Sequence, residues 1–159
     1  MPKIIVIRGP LGVGKTTIAK VLSEKIEAEY LSLDKILAEN DLEGTDGIPV
    51  ENFLKANEII FNLIKGSEKS FVVDGCFYYA EQIEDLKKKF ENDMVIFSLI
   101  SSVEKCIERD SKRKLVYGEG ATRYVHMITM KVREGIEIDN EDLTVDETLG
   151  VVLEKLKLE

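Results

Sequence analysis

Four residues near the start of the chain have the spacing of a phosphate-binding loop, G-x-x-x-x-G-K-[ST]: Gly9, Gly14, Lys15 and Thr16. Glycines permit positive φ and let the backbone approach a ligand closely. Such a loop can turn its N–H groups toward an anion, at the N-terminus of the helix that follows. The Lys15 ammonium would then reach the β- and γ-phosphates of a nucleotide, and the Thr16 hydroxyl would bind Mg²⁺.

The residues around this loop predict the strand and helix that must hold it. The β-branched run from Ile4 to Ile7 is typical of a buried strand, and the apolar residues after Thr17 recur at helical spacing. Thr17 is expected in the first helical turn, where it would contact the α-phosphate. The remaining positions expected to bind the nucleotide lie inside the loop: Leu11, Gly12 and Val13.

The rest of the chain alternates between apolar runs and helical patterns. Further strands are predicted at 30–34, 71–75, 94–100 and 135–139. Pro49 opens a helix whose shared apolar face holds Phe53, Ala56, Ile60 and Leu63, and capping boxes predict helix starts at Ser101 with Glu104 and at Thr144 with Glu147. This order predicts an α/β fold: a three-layer, doubly wound, five-stranded parallel sheet of the P-loop NTPase, nucleoside-kinase-like type, in one domain of residues 1–159.

Two aspartates, Asp34 and Asp74, each end a predicted strand, on the same edge of the sheet as the phosphate-binding loop. Asp74 follows the short run Phe71 to Val73 and resembles a shortened Walker B carboxylate, a ligand for Mg²⁺ or its water shell. Asp34 suits the base that accepts the proton of an attacking hydroxyl. A strand-end turn or a helix cap is the alternative for both residues. Which of the two is the base stays open.

Basic residues are concentrated in one part of an acidic chain. The net charge is −8, yet residues 103–134 hold eight basic and five acidic side chains. Arg109 and Arg113, four residues apart, are predicted on one helix face that points into the nucleotide site. Arg113 would stabilise the transferring phosphoryl group, and Arg109 would bind phosphate or flank the base. Residues 109–125 are predicted to form a short mobile lid.

The motifs together resemble those of small P-loop kinases. GPLGVGKTT at 9–17, VVDG at 72–75, ERDSKRK at 108–114 and IEID at 136–139 are similar to the zeta-toxin and chloramphenicol-phosphotransferase-like group and to the kinase domain of phage-type polynucleotide kinase. The resemblance implies an ATP- and Mg²⁺-dependent phosphotransferase with Asp34 as base and Arg113 as lid arginine. It also implies that the backbone near Asp139 and Asn140 borders adenine. The loop at 35–48 has no counterpart in that pattern.

The expected partner is a small hydroxyl-bearing or nucleoside-type acceptor. The acidic net charge disfavours nucleic acid, so a 5′-hydroxyl polynucleotide kinase is a lower-ranked alternative. A nucleoside monophosphate kinase would need an acceptor-binding arginine, and residues 35–70 contain none. A nucleotide-binding regulatory module or slow NTPase is the alternative from another class.

Composition bounds where such a protein would act. No apolar stretch reaches membrane-spanning length, and no signal peptide is expected. Cys76 and Cys106 have no metal or redox spacing and are expected as reduced, buried thiols of a cytoplasmic protein. The identity of the acceptor, the choice between ATP and GTP, and the state as monomer or homodimer stay open.

Overall fold

The computed structural model describes residues 1–157, which form one parallel sheet flanked by helices. The strands are β1 (Ile4–Arg8), β2 (Glu29–Ser32), β3 (Phe71–Gly75), β4 (Met94–Ile100) and β5 (Ile136–Asp139). The helices are α1 (Lys15–Lys25), α2 (Leu33–Glu39), α3 (Val50–Ile64), α4 (Ala80–Phe90), α5 (Val103–Ser111), α6 (Glu119–Met130) and α7 (Val145–Lys157), with a 3-10 turn at Glu91–Asp93.

The strand order is β2-β3-β1-β4-β5, and every pairing is parallel. Parallel neighbours require crossover connections, which the helices supply. The predicted doubly wound α/β architecture is therefore confirmed. None of the helices described between residues 1 and 157 is long and apolar enough to span a membrane.

The central strand β1 is buried on both faces. Alternate residues point to opposite faces, so Ile4 and Val6 join one hydrophobic cluster and Ile5 and Ile7 join the other. The first cluster packs α2, α3 and α4 against the sheet, and the second packs α1 and α7. Both layers fix β1, so the loop that leaves it at Gly9 starts from a rigid point.

Three local predictions are wrong by one or two residues. The second strand ends at Ser32, and the residues after it begin α2, because the Ser32 hydroxyl caps that helix by accepting a hydrogen bond from the Lys35 N–H. Leu63, predicted on the apolar face of α3, is 52% exposed. Ile64 takes its place on the buried face, because it lies four residues after Ile60.

The third error concerns the start of α5. Ser102 caps this helix, accepting from the Lys105 N–H at 3.1 Å, so the capping box predicted at Ser101 with Glu104 does not form. The box at Thr144 and Glu147 is confirmed, since each side chain accepts a hydrogen bond from the backbone N–H of the other residue at 3.1 Å.

A buried guanidinium ties the end of β1 to α6. Arg8 is 3% exposed, and it donates to the carbonyls of Phe77, Thr129 and Val132 and to the Ser98 hydroxyl over 2.8–3.2 Å. Thr129 lies in the last turn of α6 and Val132 just beyond its end, where backbone carbonyls lack partners within the helix. Arg8 therefore holds α6 at the carboxyl edge of the sheet.

We expect Arg8→Met to lower the free energy of unfolding by about 2–3 kcal/mol, because several buried carbonyls lose their donor. Urea denaturation measures the loss. Arg133→Met is the control: its side chain is 60% exposed and pairs with Glu137, so its change should stay below about 1 kcal/mol. Equal losses in the two variants would contradict a structural role for the Arg8 contacts.

Candidate active site

The loop between β1 and α1 is pressed against α5. Gly12 has φ +81°, and a Cβ atom placed there would lie 2.2 Å from the carbonyl oxygen of Cys106. Gly14 has φ +98° and occupies the N-cap position of α1, where it offers no side chain to the first N–H groups of the helix. These N–H groups are left for an anion, which the positive end of the helix favours.

The Lys15 side chain is buried at the start of α1, only 8% exposed, with its ammonium 3.3 Å from the Pro10 carbonyl. Burial acts to lower the pKa of Lys15, but the acidic groups around it, Cys76, Asp34 and Asp74, together raise that pKa above its ordinary value. The ammonium therefore stays charged. It lies among groups from the ends of β1, β2 and β3.

Asp74 lies at the end of β3 and is 2% exposed. The Tyr30 hydroxyl on β2 donates a hydrogen bond to its carboxylate. Burial raises the pKa of Asp74, and the nearby Asp34 adds to that rise, while Tyr30, Lys15 and the Thr16 hydroxyl oppose it. Tyr30 was not singled out from the sequence, because only the parallel pairing of β2 with β3 brings it beside Asp74.

Thr16 and Asp74 are oxygen donors that suit Mg²⁺. The described part of the chain contains no group of three or more His, Cys, Asp or Glu side chains that could hold a metal by itself. Mg²⁺ in phosphate sites is bound by one or two protein oxygens and completes its shell with water and substrate phosphates. A hydroxyl and a buried carboxylate side by side fit that mode of binding.

Asp34 lies in the first turn of α2 and is exposed, not at the end of a strand as predicted. Because Ser32 caps α2, the carboxylate of Asp34 is not needed as the cap. Its charge contributes to the pKa of both Lys15 and Asp74. The predicted base is therefore near the predicted metal ligand and the phosphate-binding lysine.

A cavity of about 530 Å³ opens beside the phosphate-binding loop. Its lining comes from the loop and α1, from the region of α5, and from the residues before and within α7: Gly12, Val13, Gly14, Lys15, Thr16, Thr17, Ile18, Arg109, Arg113, Asn140, Leu143, Thr144, Val145 and Thr148. Ile18 and the last four residues are not among the predicted nucleotide contacts, since the sequence signal at Thr144 indicates only a helix cap. This cavity has the position and lining of a nucleotide site.

Three residues expected to bind nucleotide do not line this cavity. Gly9 and Leu11 belong to the first half of the loop and are buried. Asp139 is exposed at the end of β5, and its carboxylate accepts a hydrogen bond from the Glu141 N–H at 3.0 Å. Its neighbour Asn140 does line the cavity and is 4% exposed.

Arg109 links the phosphate-binding loop to the segment after β5. Its guanidinium donates to the Val13 carbonyl at 3.2 Å, to the Asn140 side-chain oxygen at 3.1 Å and to the Asn140 carbonyl at 2.9 Å. The Asn140 amide also donates to the Val13 carbonyl at 2.8 Å. These bonds set the shape of the cavity wall, and the Arg109 guanidinium remains part of its lining.

Arg113 lies beyond the end of α5, so the prediction that it shares a helix face with Arg109 is wrong. Both arginines nevertheless line the same cavity. The Arg113 guanidinium lies 4.8 Å from the ring centre of Tyr117, within an exposed loop. The buried Asp110 carboxylate anchors this loop by accepting from the N–H groups of Tyr117 and Gly118 at 3.2 and 3.0 Å. The mobility of residues 109–125 stays a prediction.

Glu141 connects the segment after β5 to the start of α5. Its carboxylate accepts from the Ser102 N–H and hydroxyl, both at 2.7 Å, and from the Ser101 hydroxyl at 3.1 Å. The hydrogen bonds from Ser102, backbone first, hold the pKa of Glu141 below its ordinary value. Ser101, predicted as a helix cap, thus belongs to this second set of contacts.

A second cavity has a volume of about 560 Å³, and Tyr78 and Tyr79 in its lining follow the end of β3. It is lined by the loop before α3 and by residues after β3 and on α6: Gly44, Thr45, Asp46, Gly47, Ile48, Pro49, Asn52, Tyr78, Tyr79, Tyr124 and Ile128. Phe77, next to Tyr78, is buried in the core. The first cavity is thus lined by the phosphate-binding loop, and the second by residues that follow β3, residues of α6, the start of α3 and the loop before it.

A family model described as an AAA domain matches residues 5–120. The chain belongs to this family. A relative of this AAA-domain chain named adenylate kinase, from Chloroherpeton thalassium, is 28% identical over 160 residues that cover 90% of the chain and 73% of the relative. A putative adenylate kinase from Thermococcus gammatolerans is 29% identical over 164 residues, which cover 97% of the chain and 85% of that relative.

Solved structures with kinase names share the fold of this AAA-domain chain. A sugar kinase from Janibacter sp. HTCC2649 superposes with a TM-score of 0.81 at 15% identity, covering 99% of the chain and 95% of that structure. A shikimate kinase from Acinetobacter baumannii superposes with a TM-score of 0.67 at 20% identity, covering 99% of the chain and 94% of that structure. With the phosphate-binding loop and the named relatives, these findings make the protein a P-loop kinase, a class of enzyme that uses ATP and Mg²⁺.

We expect Lys15→Met to weaken binding of Mg·ATP by about 10- to 100-fold, because a charge-assisted contact to the phosphates is lost. Isothermal titration calorimetry measures the affinity. Lys25→Met, at the exposed end of the same helix, is the matched control and should bind as the parent does. Unchanged affinity in Lys15→Met would contradict the phosphate-binding role of this loop.

Glu141→Gln should lower stability at neutral pH, and the difference from the parent should shrink as the pH falls. A carboxylate whose folded-state pKa lies below its ordinary value of 4.5 contributes stability above that pH and loses it as the pH falls through the folded-state pKa. Denaturation midpoints across this acid range measure the effect, with the exposed Glu154→Gln on α7 as control. A pH-independent difference would contradict the role of the Ser102 contacts.

Proposed function

We propose that this protein transfers the γ-phosphoryl group of Mg·ATP to a hydroxyl group of a small-molecule or nucleoside-type acceptor. The observation that carries the proposal is the grouping of Asp34 and Asp74 around Lys15, which lines the cavity on the phosphate-binding loop. One cavity is built on the phosphate-binding loop and would hold the nucleotide. The other would hold the acceptor, so that the two substrates meet at the three charged groups.

Each charged group has a separate task in this proposal. Lys15 and the N–H groups at the start of α1 bind the β- and γ-phosphates. Thr16 and Asp74 would hold Mg²⁺, which supplies neutralisation of phosphate charge when it is bound. Tyr30 orients the Asp74 carboxylate through its hydrogen bond. Arg113, on the exposed loop that borders the nucleotide cavity, would contact the phosphoryl group as charge develops on it.

Asp34 is proposed as the group that receives the acceptor proton. Its exposed carboxylate lies near Lys15 and Asp74 without serving as a helix cap. As the acceptor oxygen bonds to phosphorus and the bond to ADP breaks, Asp34 takes up the hydroxyl proton. This assignment is also what the similarity to zeta-toxin-like and polynucleotide kinases implies. Cytoplasmic action on a small molecule is part of the same proposal.

A nucleoside monophosphate kinase is the second candidate, because relatives at 28% and 29% identity are named adenylate kinases. In that case the acceptor is itself a phosphate. The lining of the second cavity, which contains no lysine, arginine or histidine, supports the hydroxyl acceptor over this candidate.

The experiment is a screen of hydroxyl compounds and nucleoside monophosphates for stimulated ADP formation. A hydroxyl compound that increases ADP formation and appears as its phosphate ester by mass spectrometry supports the proposal. ADP formation that only water sustains, with no phosphorylated acceptor, would favour the slow NTPase and overturn it.

With an acceptor identified, Asp34→Asn should lower turnover by roughly 100-fold or more while ATP affinity stays unchanged, because the amide cannot take up the proton. Asp74→Asn should instead raise the Mg²⁺ concentration needed for half-maximal rate. Steady-state kinetics at varied Mg²⁺ separates these effects. Glu39→Gln, an exposed change on the same helix as Asp34, is the control. Full turnover in Asp34→Asn would transfer the role of base to Asp74.

A further inference from the structure

The second cavity has a wall of aromatic rings held in fixed positions. Tyr78 and Tyr79 have ring centres 5.1 Å apart, and each ring centre lies 5.5 Å from that of the buried Phe53 on α3. The Tyr79 hydroxyl donates to the Ile48 carbonyl at 3.2 Å, which ties the ring to the loop before α3. Tyr124, from α6, is 60% exposed and adds a third ring.

The charge of this lining is unusual for a cavity that would receive an anion. Asp46 is the only charged side chain among the lining residues, all of which belong to the described chain. A phosphate or carboxylate group that lost its water here would gain no cation and would meet one carboxylate. Hydroxyl groups, in contrast, can donate to Asp46, and a ring can stack on tyrosine.

Two arginines near the second cavity, Arg8 and Arg123, form hydrogen bonds or ion pairs with other groups. Arg8 is buried, and the two terminal nitrogens of its guanidinium donate to the carbonyls of Phe77, Thr129 and Val132 and to the Ser98 hydroxyl. Arg123 precedes Tyr124 and pairs with Glu119 at 2.9 Å on the surface of α6. Neither of these arginines lines the cavity.

The cavity is connected to the reacting groups through Tyr78. Burial raises the pKa of Tyr78 to about 12, and the charges of Cys76 and Asp34 contribute to that rise. Tyr78 lies four residues after Asp74, at the carboxyl end of β3, and it also lines the second cavity.

We infer that the acceptor is an uncharged, ring-containing hydroxyl compound, of the nucleoside or neutral sugar class, and not one that bears a phosphate or carboxylate group. The inference rests on the proposed phosphotransfer and names the substrate class for it. The tyrosine wall binds a face of the ring, Asp46 accepts from its hydroxyl groups, and one hydroxyl oxygen attacks the γ-phosphorus. The products are ADP and a phosphate ester, with the hydroxyl proton passed to Asp34.

The test uses acceptor pairs that differ only in an anionic group: each nucleoside against its 5′-monophosphate, and each neutral sugar against its sugar acid. ADP formation and the mass of the phosphorylated product are measured with the full chain. The neutral member should give at least about 10-fold higher kcat/KM than its anionic partner, since the cavity offers no cation to the charged group.

A charge change in the cavity supplies the second arm. Asp46→Lys should shift the preference within each pair toward the anionic member by about 10-fold, because it places a cation in the lining. Glu43→Lys makes the same charge change in the exposed part of the same loop, outside the lining, and should leave the preference unchanged. Equal shifts in the two variants would overturn the assignment of this cavity.

The outcomes separate this inference from the proposed function. Efficient transfer to the anionic members, with little to the neutral ones, overturns the inference and leaves phosphotransfer intact. Absence of any phosphorylated product across the whole panel, from a protein that binds Mg·ATP, overturns the proposed phosphotransfer and the inference with it. A preference for neutral members that Asp46→Lys diminishes and Glu43→Lys does not supports both.

Discussion

The buried ammonium of Lys15 is the constraint around which the site is organised. A charged group that is 8% exposed needs compensation, and the carboxylates of Asp74 at the end of β3 and Asp34 in the first turn of α2 provide it. Those groups meet because parallel strands present their carboxyl ends at one edge of the sheet. The same acidic groups that keep the lysine charged are suited to hold Mg²⁺ and to receive a proton. Stabilisation of the loop and the proposed chemistry therefore share the same atoms.

Two sets of contacts give the surrounding walls their shape. On the nucleotide side, Arg109 and Asn140 join the Val13 carbonyl to the segment before α7, and Gly12 allows the loop to touch α5. On the other side, Arg8 holds the end of α6 against the sheet, and that helix carries Tyr124 to the second cavity. Each cavity thus depends on a guanidinium that bonds mainly to backbone carbonyls, which fixes positions without adding a free charge.

The phosphate-binding loop and the parallel sheet can be predicted from local sequence signals. The β-branched strand, the glycine spacing and the following helix form one continuous segment, so the phosphate-binding loop and the parallel sheet follow from adjacent residues. The sequence pattern predicts Asp34 at a strand end, because it does not reveal that Ser32 caps a helix there. The spacing of the two arginines predicts Arg113 on the same helix as Arg109, but that helix ends two residues earlier, at Ser111. The second cavity joins segments far apart in the chain, and only tertiary packing brings Tyr78 and Tyr124 together.

The central claim is that phosphoryl transfer takes place between the two cavities, at Lys15, Asp34 and Asp74. The most direct measurement is a crystal structure of the full chain with Mg²⁺ and a non-hydrolysable ATP analogue. We predict that the adenine ring lies beside Asn140 and Thr144 and that the triphosphate lies on the phosphate-binding loop. The γ-phosphate should be directed toward Asp34 and the tyrosine-lined cavity. A γ-phosphate directed away from that cavity, or a nucleotide bound among the tyrosines instead, would contradict it.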